Sequence, residues 1–146
     1  MRKENSMSYK VVYFTRTGIS RRVAEKIARG LECETVEMKD DMNWNGIFGF
    51  IRGGYYAAKD KPVTMRLEKE VEPGDQVVLV SPLWAGGLAP AAREFLKGFP
   101  KEQVHLVVTS GGNTINKTAG YQSVTNVIKN LKNEEEVLEE LMGRLK

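Results

Sequence analysis

The chain has 146 residues, of which 41% are hydrophobic and 28% charged, as is typical of one globular domain. No apolar run approaches the roughly 20 residues of a membrane helix, and the charged start lacks the apolar stretch of a signal peptide, so we expect a cytoplasmic protein. The net charge of +3 is too small for a nucleic-acid-binding protein, and one cysteine and one histidine cannot form a zinc site. We expect a flexible tail over residues 1–8 and a single domain over residues 9–146.

The first half of the chain predicts a strand, a helix and a second strand. Tyr9–Phe14 is a continuous apolar run that ends in turn residues, which suits a strand buried on both faces. From Ser20 onward the apolar residues follow a helical period, and Gly30 is a plausible stop signal for that helix. Its apolar stripe comprises Val23, Ala24, Ile27, Ala28 and Leu31. Glu34–Met38 predicts the second strand.

The second half repeats the pattern. Gln76–Val80 and Val104–Val108 predict buried strands, separated by a helix that Pro90 can start, because the missing N–H of proline costs little there. A last helix begins after Asn133, with three glutamates in its first turn, where the helix dipole favours anions. Alternating strands and helices with apolar strands predict a three-layer α/β/α domain with a central parallel sheet of about five strands.

Two stretches leave alternatives open. Met42–Lys61 has four glycines and many aromatic residues, and we interpret it as a loop with a short helix. Its aromatic part, Trp44–Tyr56, could form a small satellite core or a lid over a ligand. Ser123–Ile128 predicts a fifth strand, and a helix over Thr118–Leu131 is the competing interpretation.

Three loops are candidates for a binding site, because each follows the carboxyl end of a predicted parallel strand, where open α/β sheets bind ligands. The first loop contains three hydroxyl groups at the start of a helix, whose unpaired backbone N–H groups attract anions. It matches neither the dinucleotide pattern GxGxxG nor the nucleotide pattern GxxxxGK[ST]. The candidate binding residues of this loop are Thr15, Arg16, Thr17, Gly18, Ile19 and Ser20.

The other two loops suit a planar ring. Glycines after a strand leave backbone amides accessible to a flat ligand with polar edges, and Trp84 offers a surface for stacking. Taken alone, Trp84 is more often a core residue. The candidates in the second loop are Pro82, Leu83, Trp84, Ala85, Gly86 and Gly87, and those in the third are Ser110, Gly111, Gly112 and Asn113.

From Tyr9 onward the chain resembles the flavodoxin family. The stretch Thr15–Ser20 is similar to the family's T-x-T-G-x-[ST] phosphate loop, and SPLWAGGLAP and TSGGN are similar to its two ring-binding loops. The resemblance implies a flavodoxin-like fold and the cofactor flavin mononucleotide (FMN), with the three loops above as its binding residues. Ile19 departs from the family, which often has a polar residue at this place.

The resemblance favours an FMN-dependent electron carrier that works between redox partner proteins, without catalytic residues of its own. One alternative is an NAD(P)H-dependent reductase of quinones or similar acceptors, in which Arg16, Arg21 and Arg22 would attract the nucleotide phosphates. Another is a flavodoxin-like interaction module without a cofactor. His105 is more plausible as a packed core residue than as a base.

Overall fold

The structure is a computed structural model that describes residues 9–146, so the tail expected over residues 1–8 lies outside the described residues. Within this range, seven strands form one sheet. They are β1 (Tyr9–Tyr13), β2 (Glu34–Asp40), β3 (Met65–Leu67), β4 (Gln76–Trp84), β5 (Gly87–Leu88), β6 (Val104–Ser110) and β7 (Ser123–Ile128). Four helices flank them: α1 (Ile19–Leu31), α2 (Gly46–Ala58), α3 (Pro90–Lys97) and α4 (Glu134–Leu145).

The parallel core of the sheet has the order β2-β1-β4-β6-β7, which is the strand order of flavodoxin-like folds. The sheet therefore contains the five parallel strands that the sequence predicts. Two short antiparallel strands are added to it: β3 pairs with β2, and β5 pairs with β4. The expected three-layer architecture is confirmed, with seven strands rather than about five.

Alternate residues of each strand face the two helical layers. In β1, Val11 and Tyr13 pack in a cluster with α1 and α4, whereas Val12 packs on the other side with α3 and Trp44. Val11 and Val12 are both fully buried, which is why the strand is a continuous apolar run. The helices α1 and α4 cover one face of the sheet with their apolar stripes, and α3 covers the other face.

Ser123–Ile128 forms the predicted strand, and the competing helix over Thr118–Leu131 is wrong. The strand pairs in parallel with β6, with His105 opposite Ser123 and Ser110 opposite Ile128. Because β7 is parallel to β6, its carboxyl end lies at the same edge of the sheet as those of β1, β4 and β6. The residues after β7 therefore lie near the three candidate loops.

Met42–Lys61 contains a longer helix than the short one expected from its glycines, because α2 runs for 13 residues. Two of these glycines are buried packing positions: Gly53 faces the Trp84 ring, and Gly49 lies against the backbone of Trp44. Gly30 is also not a stop signal. It lies inside α1, where a Cβ would overlap the side chain of Met142 in α4, and the helix ends at Leu31.

Candidate cofactor-binding site

The three predicted loops meet around one cavity of about 870 Å³ at the carboxyl edge of the sheet. The cavity is lined by residues at the carboxyl ends of β1, β4 and β6, by residues at the end of β7 and after it, and by one face of α2, which we call its wall. Of the predicted site residues, those on the lining are Thr15, Arg16, Thr17, Ile19, Ser20, Pro82, Leu83, Trp84, Ala85, Ser110 and Gly111. Gly18, Gly86, Gly87, Gly112 and Asn113 lie in the same loops but outside that lining.

The first loop turns sharply into α1 at Gly18, which has a φ of 97° and precedes the helix. The Gly18 N–H donates to Thr15 Oγ1 (2.9 Å), which fixes the turn. No side chain caps the helix and its first turn holds no acidic residue, so its leading backbone N–H groups are available to an anion. Thr17 is exposed on the cavity lining beside them.

Ser20 lines the cavity, but its hydroxyl is already engaged. The side chain is buried, and Ser20 Oγ lies 2.9 Å from Thr109 Oγ1 at the end of β6. This hydrogen bond ties the start of α1 to the third loop. Ser20 therefore positions the first loop, and the exposed Thr17 hydroxyl is the more accessible of the two to a ligand.

Arg16 connects the first loop to α2. Its Nε donates to the Trp44 carbonyl oxygen (2.7 Å) and its Nη2 to the Gly46 carbonyl oxygen (3.0 Å). Its guanidinium also lies 5.6 Å from the centre of the Phe50 ring. Arg16, a predicted binding residue, thus uses these hydrogen bonds to hold the backbone at the start of α2, while its charged side chain lines the cavity.

The second loop is shorter than predicted, because Pro82, Leu83 and Trp84 belong to β4 and Gly87 belongs to β5. What remains is a two-residue hairpin turn between these strands. Ala85 and Gly86 both have positive φ (50° and 83°), as a type I′ turn requires. The strand before the turn is held by Ser81, whose Oγ accepts the Ala89 N–H (3.1 Å). Ala85 lines the large cavity, whereas Gly86 and Gly87 face a smaller cavity of about 370 Å³ behind the turn.

Trp84 belongs both to the core and to the cavity. Its ring packs edge-on against Phe14 and Trp44, with ring centres 5.7 and 5.2 Å apart. It is only partly buried, and it lines the cavity. These ring contacts confirm the interpretation of Trp84 as a core residue, and the part of the indole that lines the cavity remains accessible to a ligand.

The third loop is closed by its own residues and by the turn after β7. The Ser110 hydroxyl donates to the Asn113 carbonyl oxygen, and the Asn130 N–H donates to the Gly111 carbonyl oxygen (2.8 Å). Ser110 and Gly111 remain on the cavity lining. The loop is thus braced against the chain segment that carries Lys129 and Lys132.

Two groups of lining residues lie outside the three predicted loops, and the sequence indicated the first only through the alternative that Trp44–Tyr56 forms a lid over a ligand. The first is on α2, where Phe50, Ile51 and Tyr55 line the cavity and are 67%, 60% and 50% exposed. The helical spacing of these side chains was a signal, but the intervening glycines obscured it. The second is the pair Lys129 and Lys132, which follow β7 and belong to none of the three predicted loops.

Ion pairs organise the rim beside α1. Arg22 donates to both carboxylate oxygens of Glu134 (2.6 and 2.7 Å), and Lys26 Nζ lies 3.3 Å from the same side chain. The hydrogen bond from Arg22 lowers the pKa of Glu134. This pairing joins the starts of α1 and α4 at the cavity.

Two reactive residue types lie away from the cavity. His105 Nδ1 is 2.8 Å from Ser123 Oγ near the amino ends of β6 and β7, and burial lowers its pKa. Burial, followed by the charge of Glu34, raises the pKa of the Cys33 thiol. Within residues 9–146, no cluster of three or more His, Cys, Asp or Glu side chains could hold a metal ion, and no helix is long and apolar enough to cross a membrane.

Solved structures with similar folds include three bacterial proteins. A flavoprotein in complex with FMN from Lactobacillus acidophilus NCFM has a TM-score of 0.64 and 16% sequence identity, and the match covers 90% of this chain and 99% of that chain. A candidate flavoprotein from Bacteroides eggerthii DSM 20697 has a TM-score of 0.70 and 16% identity, covering 94% and 97% of the two chains.

A similar candidate from Bacteroides uniformis ATCC 8492 has a TM-score of 0.63 and 16% identity, covering 93% and 98%. No protein-family model and no curated protein matches the sequence. At this level of identity the likeness establishes a shared fold. It places the chain in the structural class of flavodoxin-like α/β proteins, and the chemistry has to be argued from the cavity itself.

Proposed function

We propose that the chain is an FMN-binding flavoprotein that transfers electrons between redox partners. The observation that carries this proposal is the cavity, which joins an uncapped helix start at one end to a tryptophan and an aromatic helix face at the other. A phosphorylated planar ligand has the same two-ended chemistry. The similar structure with FMN adds support from the fold.

The residues present fit FMN. The amides at the start of α1 and the Thr17 hydroxyl would hold the phosphate. Trp84 and Tyr55 would contact the ring, and the Ser110–Gly111 backbone would meet its polar edge. When bound, FMN would supply the electron transfer, and the chain would orient it and exclude water from the ring.

The arginines near the first loop support the carrier over the NAD(P)H-dependent reductase. The reductase hypothesis needs Arg16, Arg21 and Arg22 to be free for a second nucleotide. Arg16 donates to backbone carbonyls of the α2 region, Arg22 pairs with Glu134, and Arg21 Nε lies 3.6 Å from Glu25. Each guanidinium thus has a partner within the chain.

The exposed face of α2 supports transfer to another molecule near the cavity. Ile47 and Phe48 are 71% and 78% exposed, and they continue the apolar face that lines the cavity through Phe50 and Ile51. Exposed contiguous apolar surface of this kind is typical of interaction sites. We infer that a redox partner docks over this helix.

The test is FMN binding by the apoprotein, measured by quenching of flavin fluorescence and by the visible spectrum. We expect Thr17→Ala to weaken FMN binding about tenfold, since a hydrogen bond to a charged group is lost, and to leave riboflavin binding unchanged. Thr118→Ala, at an exposed threonine away from the cavity, is the matched control. A protein that ignores FMN would instead favour the interaction module, and rapid flavin reduction by NADPH alone would favour the reductase.

A further inference from the structure

The positive charge of the chain is concentrated around the candidate cavity. Its lining carries four cationic side chains and one carboxylate, a net charge of +3, which equals the net charge of the whole chain. The charged lining residues are Arg16, Arg22, Lys129, Lys132 and Glu134. The remaining residues are therefore neutral in sum, so the cavity is the electrostatic focus of the molecule.

Only two of these four cations are unengaged. Arg16 donates to two backbone carbonyls and Arg22 is paired with Glu134. Lys129 and Lys132 are exposed, and neither has a carboxylate partner among residues 9–146. These two ammonium groups share the cavity lining with the start of α1, whose first turn has no acidic residue, and together they form a surface that attracts an anion.

The backbone that carries these lysines is held firmly at the cavity. The Lys132 N–H donates to the Lys129 carbonyl oxygen (3.1 Å), and the neighbouring Asn130 N–H donates to the Gly111 carbonyl oxygen (2.8 Å). Asn133 Oδ1 also accepts the Ile128 N–H (2.8 Å), which fixes the turn to the end of β7.

The same turn is connected to the phosphate loop. Asn130 contacts Gly111 of the third loop, and Thr109 at the start of that loop is hydrogen-bonded to Ser20 at the start of α1. The lysine-bearing turn, the third loop and the helix start therefore form one connected frame around the cavity.

We propose that Lys129 and Lys132 recognise the phosphate of the bound flavin and determine specificity for the phosphorylated form. This inference rests on the proposed function. A phosphate monoester carries a charge of about −1.5 to −2 near neutral pH, which two unpaired ammonium groups balance. The amides of α1 provide directional hydrogen bonds, and the lysines add charge that makes FMN binding sensitive to salt.

The test compares FMN with riboflavin, which has the same ring and no phosphate. We expect the double variant Lys129→Gln/Lys132→Gln to bind FMN about tenfold more weakly than the unmodified chain at low ionic strength, with riboflavin binding unchanged. High salt should remove most of the difference for FMN. Lys59→Gln/Lys117→Gln removes the same charge at two exposed lysines that are outside the lining and should leave FMN binding within about twofold.

The outcomes separate this inference from the proposed function. Two outcomes would overturn the role of the lysines but leave the proposed function intact: the double variant binds FMN as tightly as the unmodified chain, or it loses affinity for FMN and riboflavin equally. An equal loss in the control pair would show that only the overall charge matters, and it would also overturn the inference. An unmodified chain that binds neither flavin would overturn both.

Discussion

The cavity wall formed by α2 depends on a glycine that the sequence presents as a helix breaker. Gly49 is buried in the helix, and a Cβ at this position would overlap the carbonyl carbon and oxygen of Trp44. Gly54 lies in the same helix, and nothing lies within 4 Å of the position of its Cβ. The substitutions Gly49→Ala and Gly54→Ala are therefore a matched pair that differs only in packing.

The two variants should change the free energy of unfolding in opposite directions. Alanine is better than glycine in a helix interior by about 0.8–1 kcal/mol, so Gly54→Ala should be stabilising by about that amount. Gly49→Ala gains the same propensity but forces the helix away from Trp44, and overpacking of this kind costs about 1–3 kcal/mol or more. We expect Gly49→Ala to be less stable than Gly54→Ala by about 1–3 kcal/mol.

Urea unfolding followed by circular dichroism measures this difference, and FMN titration measures its effect on the cavity. Gly49→Ala should also weaken FMN binding, because Phe50 and Tyr55 move with the helix. If Gly49→Ala proved as stable as Gly54→Ala and bound FMN normally, the close packing of α2 would not be what holds this wall in place.

Three further predictions concern the contacts that frame the cavity. Thr109→Val should lower the free energy of unfolding by about 1–3 kcal/mol, because it leaves the buried Ser20 hydroxyl unpaired. Adding Ser20→Ala should restore most of the lost stability in urea unfolding, and a double variant without this recovery would contradict the explanation. Ala85→Gly should be stabilising by about 0.5–1 kcal/mol in the same assay, since it relieves a positive φ at a non-glycine residue; a loss of stability would refute the strain. The hydrogen bond from Arg22 lowers the pKa of Glu134. The ion pair therefore contributes its full share of the folding stability above the unfolded pKa of about 4.5, and this contribution is lost as the pH falls through the lower folded pKa. Glu134→Gln should therefore cost about 0.5–1 kcal/mol at neutral pH and nothing in acid, and a deficit independent of pH would exclude the ion pair as its cause.

The parallel sheet and the three loops could be predicted because their signals are local. Buried strands such as Gln76–Val80 are apolar throughout, and each is followed by turn residues, so both the strand and its carboxyl end can be read from the sequence. The strand Ser123–Ile128 was the harder case, since its connection is short and a helix fits the same residues. Pairing with β6 decides it, and such pairing is a tertiary contact that no local pattern contains.

The full length of α2 and the hydrogen bonds of Arg16 could not be predicted, because both depend on contacts between residues that are distant in the sequence. Several glycines disfavour a helix by intrinsic propensity, but Gly49 and Gly53 allow close contact with Trp44 and Trp84, and this packing outweighs the propensity. The partners of Arg16 are backbone carbonyls of a segment about 30 residues further on. A motif records which residue is present and not which groups it meets.

The loops and the helix around the cavity differ in local stability, because they differ in how much of their surface is packed against the core. The buried Ser20–Thr109 hydrogen bond fixes the start of α1 to the end of β6, so this part of the cavity lining is preorganised. The wall α2 has only Gly49, Gly53 and Ala57 buried, and much of its apolar surface faces solvent. Elements with few buried contacts open at the lowest free energy. We therefore expect a ligand to bind against the firmly held loops after β1 and β6, and to enter and leave the cavity through movement of α2.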